Sequence, residues 1–531
     1  LAKKLGLYLI TILVICFSTG LMAEAAGLKY NMSYIYFGKS SGYTSSVDKT
    51  QNSLNEVSPN YFILDDYGNL VITSAYDAQF VKDMHDRDIL VVPFLQNDWM
   101  KPQTGKNALS NRDNLADSLA RAVRDMNLDG VNIDIENMTV NERSAYVDFI
   151  RLLREKMRYY MSEEKIISVA VAANPYGATN GWQASYDYDG LADYSDYLMI
   201  MAYDESWNTP GPVSSMSFVE KSIKYALSQN VRKDQIVLGL PFYGRIWADQ
   251  GGYPQAGGVS NTKIDQLVTN YQSTVAFDSK TKSTRAVITV QPTDTKPVLG
   301  GKTLAAGTYT IWYESEQSIK EKLALVEKYD LKGTGSWSLG QETAGTWDYY
   351  KLWLNGCTFG DIQNSWAKEE IFTAYQNKWV DGVSSDSFEP DGPLTRAQAA
   401  AMLVRRLGLP VDTNEEYGFD DTAGSWAESY INTARRHQII SGVGGNQFAP
   451  DLPVTREEIA VMLNNILGYD SNTSSGRFRD VSSELTPWSF EAIYALSENS
   501  VITGYPDGSY YPKKTLTRAE MTALISRINI A

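Results

Sequence analysis

Cysteine and histidine are scarce in this chain of 531 residues, which has two of each: Cys16 and Cys357, His85 and His437. Cys16 falls in an N-terminal segment expected to be cleaved, so no internal disulfide is expected and Cys357 is read as a lone buried thiol. With no clustered thiols or imidazoles, a zinc site is not expected, and no cofactor is implied. Positive charge is also short. The 48 Lys and Arg face 63 Asp and Glu, a formal net charge of −15, which disfavours nonspecific nucleic-acid binding and leaves neutral or carbohydrate partners. The opening apolar run, Leu5 to Phe17, is shorter than the roughly 18 residues a membrane-spanning helix needs. It follows Lys3 and Lys4 and precedes the small residues Ala23-Glu24-Ala25. That is the pattern of a secretory signal, so residues 1–25 are expected to be removed on export, with no stable transmembrane anchor left.

What is present is ample apolar material, 43% with 12% aromatic, enough for two or more packed domains. Between about residues 28 and 340 short apolar runs alternate with amphipathic stretches such as "RSAYVDFIRLLREKM" from Arg143. The runs begin near Met32, Asn60, Ile89, Gly130, Ile166, Asp196, Ile236 and Gly333. Eight strands separated by helices predict an α/β fold, a closed (β/α)8 TIM barrel over residues 27–355. The rival, an open doubly wound sheet, usually carries a Gly-rich phosphate turn after its first strand, and "YFGKSSGYTSS" lacks that spacing. The seventh-to-eighth connection is too long for a crossover, and "AVITVQ" and "TYTIWYES" predict a small β-rich insertion at about 246–312. From Cys357 onward the chain repeats itself. Trp366, Trp426 and Trp488 recur at near-equal spacing, as do Arg396, Arg456 and Arg518 in "LTRAQ", "VTREE" and "LTRAE". Three copies of one helical unit, 357–410, 416–470 and 476–531, follow as an all-α part, each Thr placed to cap the next helix.

The chemistry concentrates in "LDGVNIDIEN", residues 128–137. Side chains alternate along a strand, so Asn132, Asp134 and Glu136 share one face while Val131, Ile133 and Ile135 face the surrounding helices. In a βα barrel the carboxyl ends of the strands form the active face, which puts Glu136 at the rim. Carboxylates two residues apart in a partly dehydrated cavity do not both ionise readily, so one holds a proton that can be delivered to a leaving group. A water-satisfied polar barrel centre with no catalysis is the plainer alternative.

"DGVNIDIE" resembles the DGxDxDxE signature of glycoside hydrolase family 18, the chitinase-type barrel enzymes. "MAYD" at Met201 to Asp204, "GLPFYGR" at Gly239 to Arg245, and Trp337 after strand eight resemble further motifs of that family. Asn132 departs from it, standing where the family has the first Asp of DxDxE. The resemblance implies substrate-assisted retention. Glu136 would protonate the glycosidic oxygen and later deprotonate water, Asp134 would hold the 2-acetamido N–H, Tyr203 would orient the acetamido oxygen, and Asp204 would help bind the distorted sugar. Trp337 would stack beneath that ring, and Asn132, Met201 and Tyr243 complete the expected substrate-binding set. With Asn at 132, Asp134 must be tuned by hydrogen bonds instead of a shared proton. The stretch also looks like the branch holding spore-cortex-lytic and other peptidoglycan-directed N-acetylglucosaminidases, so the expected substrate is an N-acetylglucosamine-containing glycan, peptidoglycan first and chitin next. A noncatalytic glycan-binding surface protein is the alternative.

The three repeats resemble S-layer homology modules, which implies binding of an anionic secondary cell-wall polysaccharide. Arg396, Arg456 and Arg518 are the expected contacts, because a guanidinium fork suits a carboxylate. Trp366, Trp426 and Trp488 are expected as core anchors. The whole reads as a secreted glycosidase held at the cell wall or S-layer of a Gram-positive-type bacterium.

Overall fold

The computed structural model describes residues 28–411, 415–471 and 477–528. The expected signal peptide, 1–25, lies outside them, as do residue 476 and residues 529–531 of the expected third repeat. Two compact units result, Leu28–Ser365 with Ser384–Phe388, and Trp366–Val383 with the chain from Glu389 onward.

The first unit is a closed barrel of eight parallel strands. They are Tyr30–Ile35, Glu56–Pro59 resuming at Phe62–Leu64, Leu90–Val91 resuming at Phe94–Gln96, Gly130–Asp134, Ile166–Ala172, Tyr197–Met201, Ile236–Pro241 and Gly333–Trp337. Each pairs in parallel with the next, and the eighth closes onto the first with Gly333 opposite Tyr30. Closure is tight enough to demand glycine: a Cβ on Gly333 would lie 1.7 Å from the Tyr30 carbonyl oxygen. Val131, Ile133 and Ile135 are buried outward, in one core with Tyr146, Phe149, Ile150 and Leu153 of the helix Arg143–Tyr160. Each such side chain contributes roughly 1.5–3 kcal/mol. Met32, Tyr34, Phe94, Tyr197, Met199 and Val237 fill the interior.

One strand departs from its expected start. The second begins at Glu56, four residues ahead of the apolar run at Asn60. A carboxylate and a serine hide the first half from a hydrophobic pattern, and Pro59, lacking an N–H, marks the break. Glu56 itself is fully buried.

After the seventh strand the chain enters a five-stranded antiparallel sheet ordered Gly257–Ser260, Tyr243–Ala248, Gly307–Tyr313, Ser283–Val290, Gln272–Asp278. Helix Asn261–Asn270 contributes Ile264 and Leu267 to a core with Ile246, Ile288 and Ile311. Where this sheet returns to the barrel, the Lys322 ammonium meets the Glu314 carboxylate, both side chains fully buried. Glu314 also accepts from Ser283 Oγ at 2.9 Å, and Lys322 donates to the Lys282 carbonyl at 2.9 Å. Removing one partner of such a pair strands the other charge. Lys322→Met is therefore expected to lower unfolding free energy by about 3–5 kcal/mol, measured by denaturant titration. A loss below about 1 kcal/mol would mean that the pair contributes no more than a surface ion pair does.

The second unit is helical. Along the chain its α-helices among the described residues come as one pair per repeat, Lys368–Gln376 then Arg396–Arg406, Glu428–Arg436 then Arg456–Leu467, and Phe490–Glu498 then Arg518–Arg527. The packing runs between repeats, Arg396–Arg406 on Glu428–Arg436, Arg456–Leu467 on Phe490–Glu498, and Lys368–Gln376 on Arg518–Arg527. Thr395, Thr455 and Thr517 each cap the second helix of a pair in a reciprocal box with Gln398, Glu458 and Glu520, an arrangement generally worth about 1 kcal/mol. The three pre-helix segments join in a ring. Leu394 N–H donates to Leu516 O, Leu516 N–H to Val454 O, and Val454 N–H to Leu394 O. The sequence repeat thus becomes a pseudo-threefold hydrogen-bond cycle. Cys357, in the first unit, is buried, and burial pushes its thiol up to about 12.

Candidate active site

A cavity of about 1020 Å³ opens at the carboxyl ends of the barrel strands, and Asp134, Glu136, Met201, Tyr203, Asp204, Tyr243 and Trp337 all line it. The fourth strand ends at Asp134, and its backbone is pinned just beyond. Glu136 N–H donates to Asn97 Oδ1 at 2.7 Å, Asn97 Nδ2 donates back to Glu136 O at 3.1 Å, and Tyr146 and Tyr186 hydroxyls bracket Ile135. Glu136 therefore projects from a fixed stem.

The electrostatics favour a retained proton. Burial, then the charges of Asp134 and Asp204, hold the Glu136 carboxyl well above its ordinary range. Burial pushes Asp134 up to about 7. Its Oδ1 has no hydrogen-bond partner among the described residues, although only 5% of the residue is exposed. A buried carboxylate oxygen without a donor is costly unless a ligand supplies one. The Tyr203 hydroxyl, raised by burial and by Asp134, Glu136 and Asp204, stays a donor.

Asp204 sits at φ 60°, a left-handed conformation Asp tolerates better than most residues. Arg245 grips it with two parallel bonds, Nε to Oδ1 at 2.8 Å and Nη2 to Oδ2 at 2.6 Å, while its guanidinium lies 4.1 Å from the Trp207 ring centre. Trp337 packs against Tyr34, Tyr36 and Phe94 at centroid distances of 5.2, 5.4 and 5.9 Å, which leaves an aromatic floor under the cavity.

Three expectations need correction. Asn132, expected to touch substrate, is fully buried beneath Asp134; its amide binds Tyr34 Oη at 2.9 Å and Ser168 Oγ at 2.7 Å, so it supports the site from behind. In the helical unit, Arg396 is 4% exposed, and its guanidinium donates to Phe448 O, Ser441 O and Glu458 Oε1. Arg456 donates to Tyr510 O and Thr503 O, and Arg518, 6% exposed, to Asp381 O. These arginines tie neighbouring repeats together, because a guanidinium fork fits loop carbonyls as well as it fits a carboxylate. The repeated tryptophans err the other way: Trp366, Trp426 and Trp488 are 61%, 61% and 53% exposed instead of forming the core. Trp426 and Arg405 share a surface cavity of about 360 Å³ with Arg518.

Arg245 and Asn97 were not among the expected site residues. Arg245 stood inside a quoted motif, and its place in a strand opposite the buried Ile246 face was the available signal. Asn97 had none, since an asparagine after a strand reads as turn.

The profile of Glycosyl hydrolases family 18 matches residues 102–342, and the S-layer homology domain matches 358–400, 418–460 and 477–522. The chain is 25% identical over 220 residues to the uncharacterized glycosylase YvbX of Bacillus subtilis, covering 41% of this chain and 59% of that protein. It is 24% identical over 268 residues to the cortical fragment-lytic enzyme of the same organism, covering 49% of this chain and 58% of the other. The chain thus spans less than two thirds of either relative's length. Among solved structures, a chitinase from Chromobacterium violaceum superposes with a TM-score of 0.54 at 23% identity, covering 61% of this chain and 99% of that one, a likeness of fold. The chain carries a glycosyl hydrolase family 18 domain on a (β/α)8 barrel, followed by three S-layer homology domains.

Proposed function

We propose that the protein is a secreted, wall-anchored glycosidase that cleaves β-1,4 links next to N-acetylglucosamine with retention, through the substrate's own acetamido group. In this reading the barrel spans 27–355 and the anchor modules 357–410, 416–470 and 476–531. The observation that supports this reading most is that Glu136 and Asp134 line one cavity, with burial and neighbouring charge holding the Glu136 carboxyl above its ordinary range and Asp134 Oδ1 lacking a donor. An acetamido N–H satisfies that oxygen, and the Tyr203 hydroxyl reaches for the acetamido carbonyl. The carbonyl oxygen then bonds to the anomeric carbon as the C–O bond to the leaving sugar breaks, and Glu136 delivers its proton to that oxygen. Water next attacks the same carbon, the Glu136 carboxylate takes the water's proton, and the acetamido group reopens. Net configuration is kept, and no second carboxylate attacks sugar. Trp337 holds the ring's apolar face, and the Asp204–Arg245 pair braces the wall.

Peptidoglycan is the preferred substrate, with chitin next, in keeping with the cortical fragment-lytic relative. Mass spectrometry of products from purified sacculi and from chitin oligomers tests this. Muropeptide fragments with N-acetylglucosamine at the new reducing end are expected, whereas cleavage of chitin alone would remove the wall assignment. If neither is cut but both bind, the protein is a glycan-binding surface protein. Anchoring is assigned to the exposed tryptophans, of which Trp426 offers a flat apolar platform beside the Arg405 guanidinium. The full chain is expected to pellet with native sacculi and to remain in solution once secondary polysaccharide is stripped.

A further inference from the structure

Of the described residues that line the barrel cavity, two are cationic, Arg245 and Lys263, against the four acids Asp98, Asp134, Glu136 and Asp204. Arg245 is spent on Asp204 through its two parallel bonds. Lys263 has no comparable partner. Its ammonium makes no ion pair among the described residues, and its side-chain hydrogen bond runs at 3.5 Å to Gln266 Oε1, an amide on its own helix.

The stem of this side chain is held in place. Lys263 stands in the first turn of helix Asn261–Asn270, and three parts of the unit tie down the start of that helix. Asn261 N–H donates to Phe242 O at 3.0 Å, just past the seventh strand. Beyond the eighth strand, Gln341 O accepts from Thr262 N–H at 3.2 Å and Glu342 O from Thr262 Oγ1 at 2.6 Å, while Asn261 Nδ2 donates to Glu314 O at 2.9 Å. Lys263 N–H is itself given to Ser260 Oγ at 3.2 Å. The first three N–H groups of the helix are therefore all used, and what this wall offers an anion is the ammonium, not the helix end.

A neutral glycan gives an ammonium only the hydroxyl contacts that any polar side chain makes. A carboxylate gives it a charge-assisted hydrogen bond, roughly twice as strong as a neutral one. The flexible four-carbon stem of lysine suits a carboxylate whose position varies from one substrate to the next. At about 1020 Å³ the cavity stands at the upper end of ligand-pocket sizes, which leaves room for a substituted sugar next to the ring held over Trp337.

We propose that Lys263 is a specificity-determining residue that receives a carboxylate of the substrate. The proposal rests on the hydrolase reading and narrows its substrate class: wall glycan is preferred to chitin because it is anionic. Two sources present the same chemistry, the lactyl ether of a neighbouring sugar in a strand without peptide and an attached peptide in a substituted strand.

Lys263→Met tests it, with Lys263→Arg as the charge-conserving control. Values of kcat and KM are measured on chitin oligomers, on wall glycan strands stripped of peptide, and on strands with peptide attached. The ratio of kcat/KM for an anionic strand over the neutral oligomer is expected to fall about tenfold in Lys263→Met, through KM and not kcat, and to stay within about threefold of the unmodified protein in Lys263→Arg. Added salt is expected to shrink the ratio of the unmodified protein toward that of Lys263→Met. A fall with stripped strands alone assigns the lactyl carboxylate, a fall with peptide-bearing strands alone assigns a peptide carboxylate, and a fall with both assigns either. An unchanged ratio for both strands, or a loss in kcat shared by all three substrates, overturns the inference while the hydrolase reading stands. Should the unmodified protein turn over none of the three, the hydrolase reading falls, and dissociation constants for the same glycans by isothermal titration decide Lys263 by themselves. About tenfold weaker binding of the anionic strands in Lys263→Met then supports the assignment, and equal binding overturns it.

Discussion

Glu136→Gln is expected to lower turnover of N-acetylglucosamine oligomers about 10²–10⁴-fold while changing their dissociation constant by less than about threefold. Glutamine keeps the shape and the backbone pins from Asn97, Tyr146 and Tyr186, so the cavity should be preserved. What disappears is the proton. Without it the leaving oxygen departs as an alkoxide, and the later water has no base. Steady-state kinetics with isothermal titration on the same oligomer separates the two effects. A parallel loss of binding would mean that Glu136 holds substrate and does not act on it.

Asp134→Asn follows in size. In the proposed mechanism the cavity-lining Asp134 carboxylate opposes the positive charge of the oxazolinium ion, and a neutral amide does not. Loss of about 10²–10³-fold in kcat is expected, the scale seen when one preorganised electrostatic partner is removed. The same substitution has a stability signature of opposite sense. The native pKa of Asp134, about 7, stands above the unfolded carboxyl value, 3.8. Between those values the native state binds the proton more tightly, so wild-type stability falls as pH rises through that window, and at pH 8 the buried charge is a burden. Asn carries no such charge. Thermal unfolding of Asp134→Asn is thus expected above wild type at pH 8, with the gap closing toward pH 4. A gap that widens on acidification would show that Asp134 is stabilised as a carboxylate in the folded chain, contrary to the electrostatics described.

The barrel was legible because its strands are apolar runs at regular intervals, and because alternation in "GVNIDIE" assigns faces with no knowledge of partners. The repeat was legible by spacing, and its capping threonines by local chemistry. Side chains whose role depends on distant partners were not. Glu56 stands ahead of the apolar run at Asn60 and carries no pattern of its own, and only closure of the barrel brings Tyr30 and Tyr197 to its oxygens. Asn132 read as a substrate contact since its face is right, but its depth on that face is a tertiary quantity. Arg396 and Trp426 were misread symmetrically. General burial preferences put the tryptophan inside and the arginine outside, whereas inter-repeat carbonyls draw the arginine in and leave the indole on the surface.

The account turns on the sugar's acetamido oxygen acting as nucleophile at a site where Glu136 is the acid. Time-resolved proton NMR of the first product from N-acetylglucosamine oligomers, run beside de-N-acetylated oligomers of the same length, tests this most directly. The β-anomer should appear first from the acetylated chains, and the deacetylated chains should remain whole. First release of the α-anomer, or cleavage of glucosamine oligomers at a comparable rate, would contradict it.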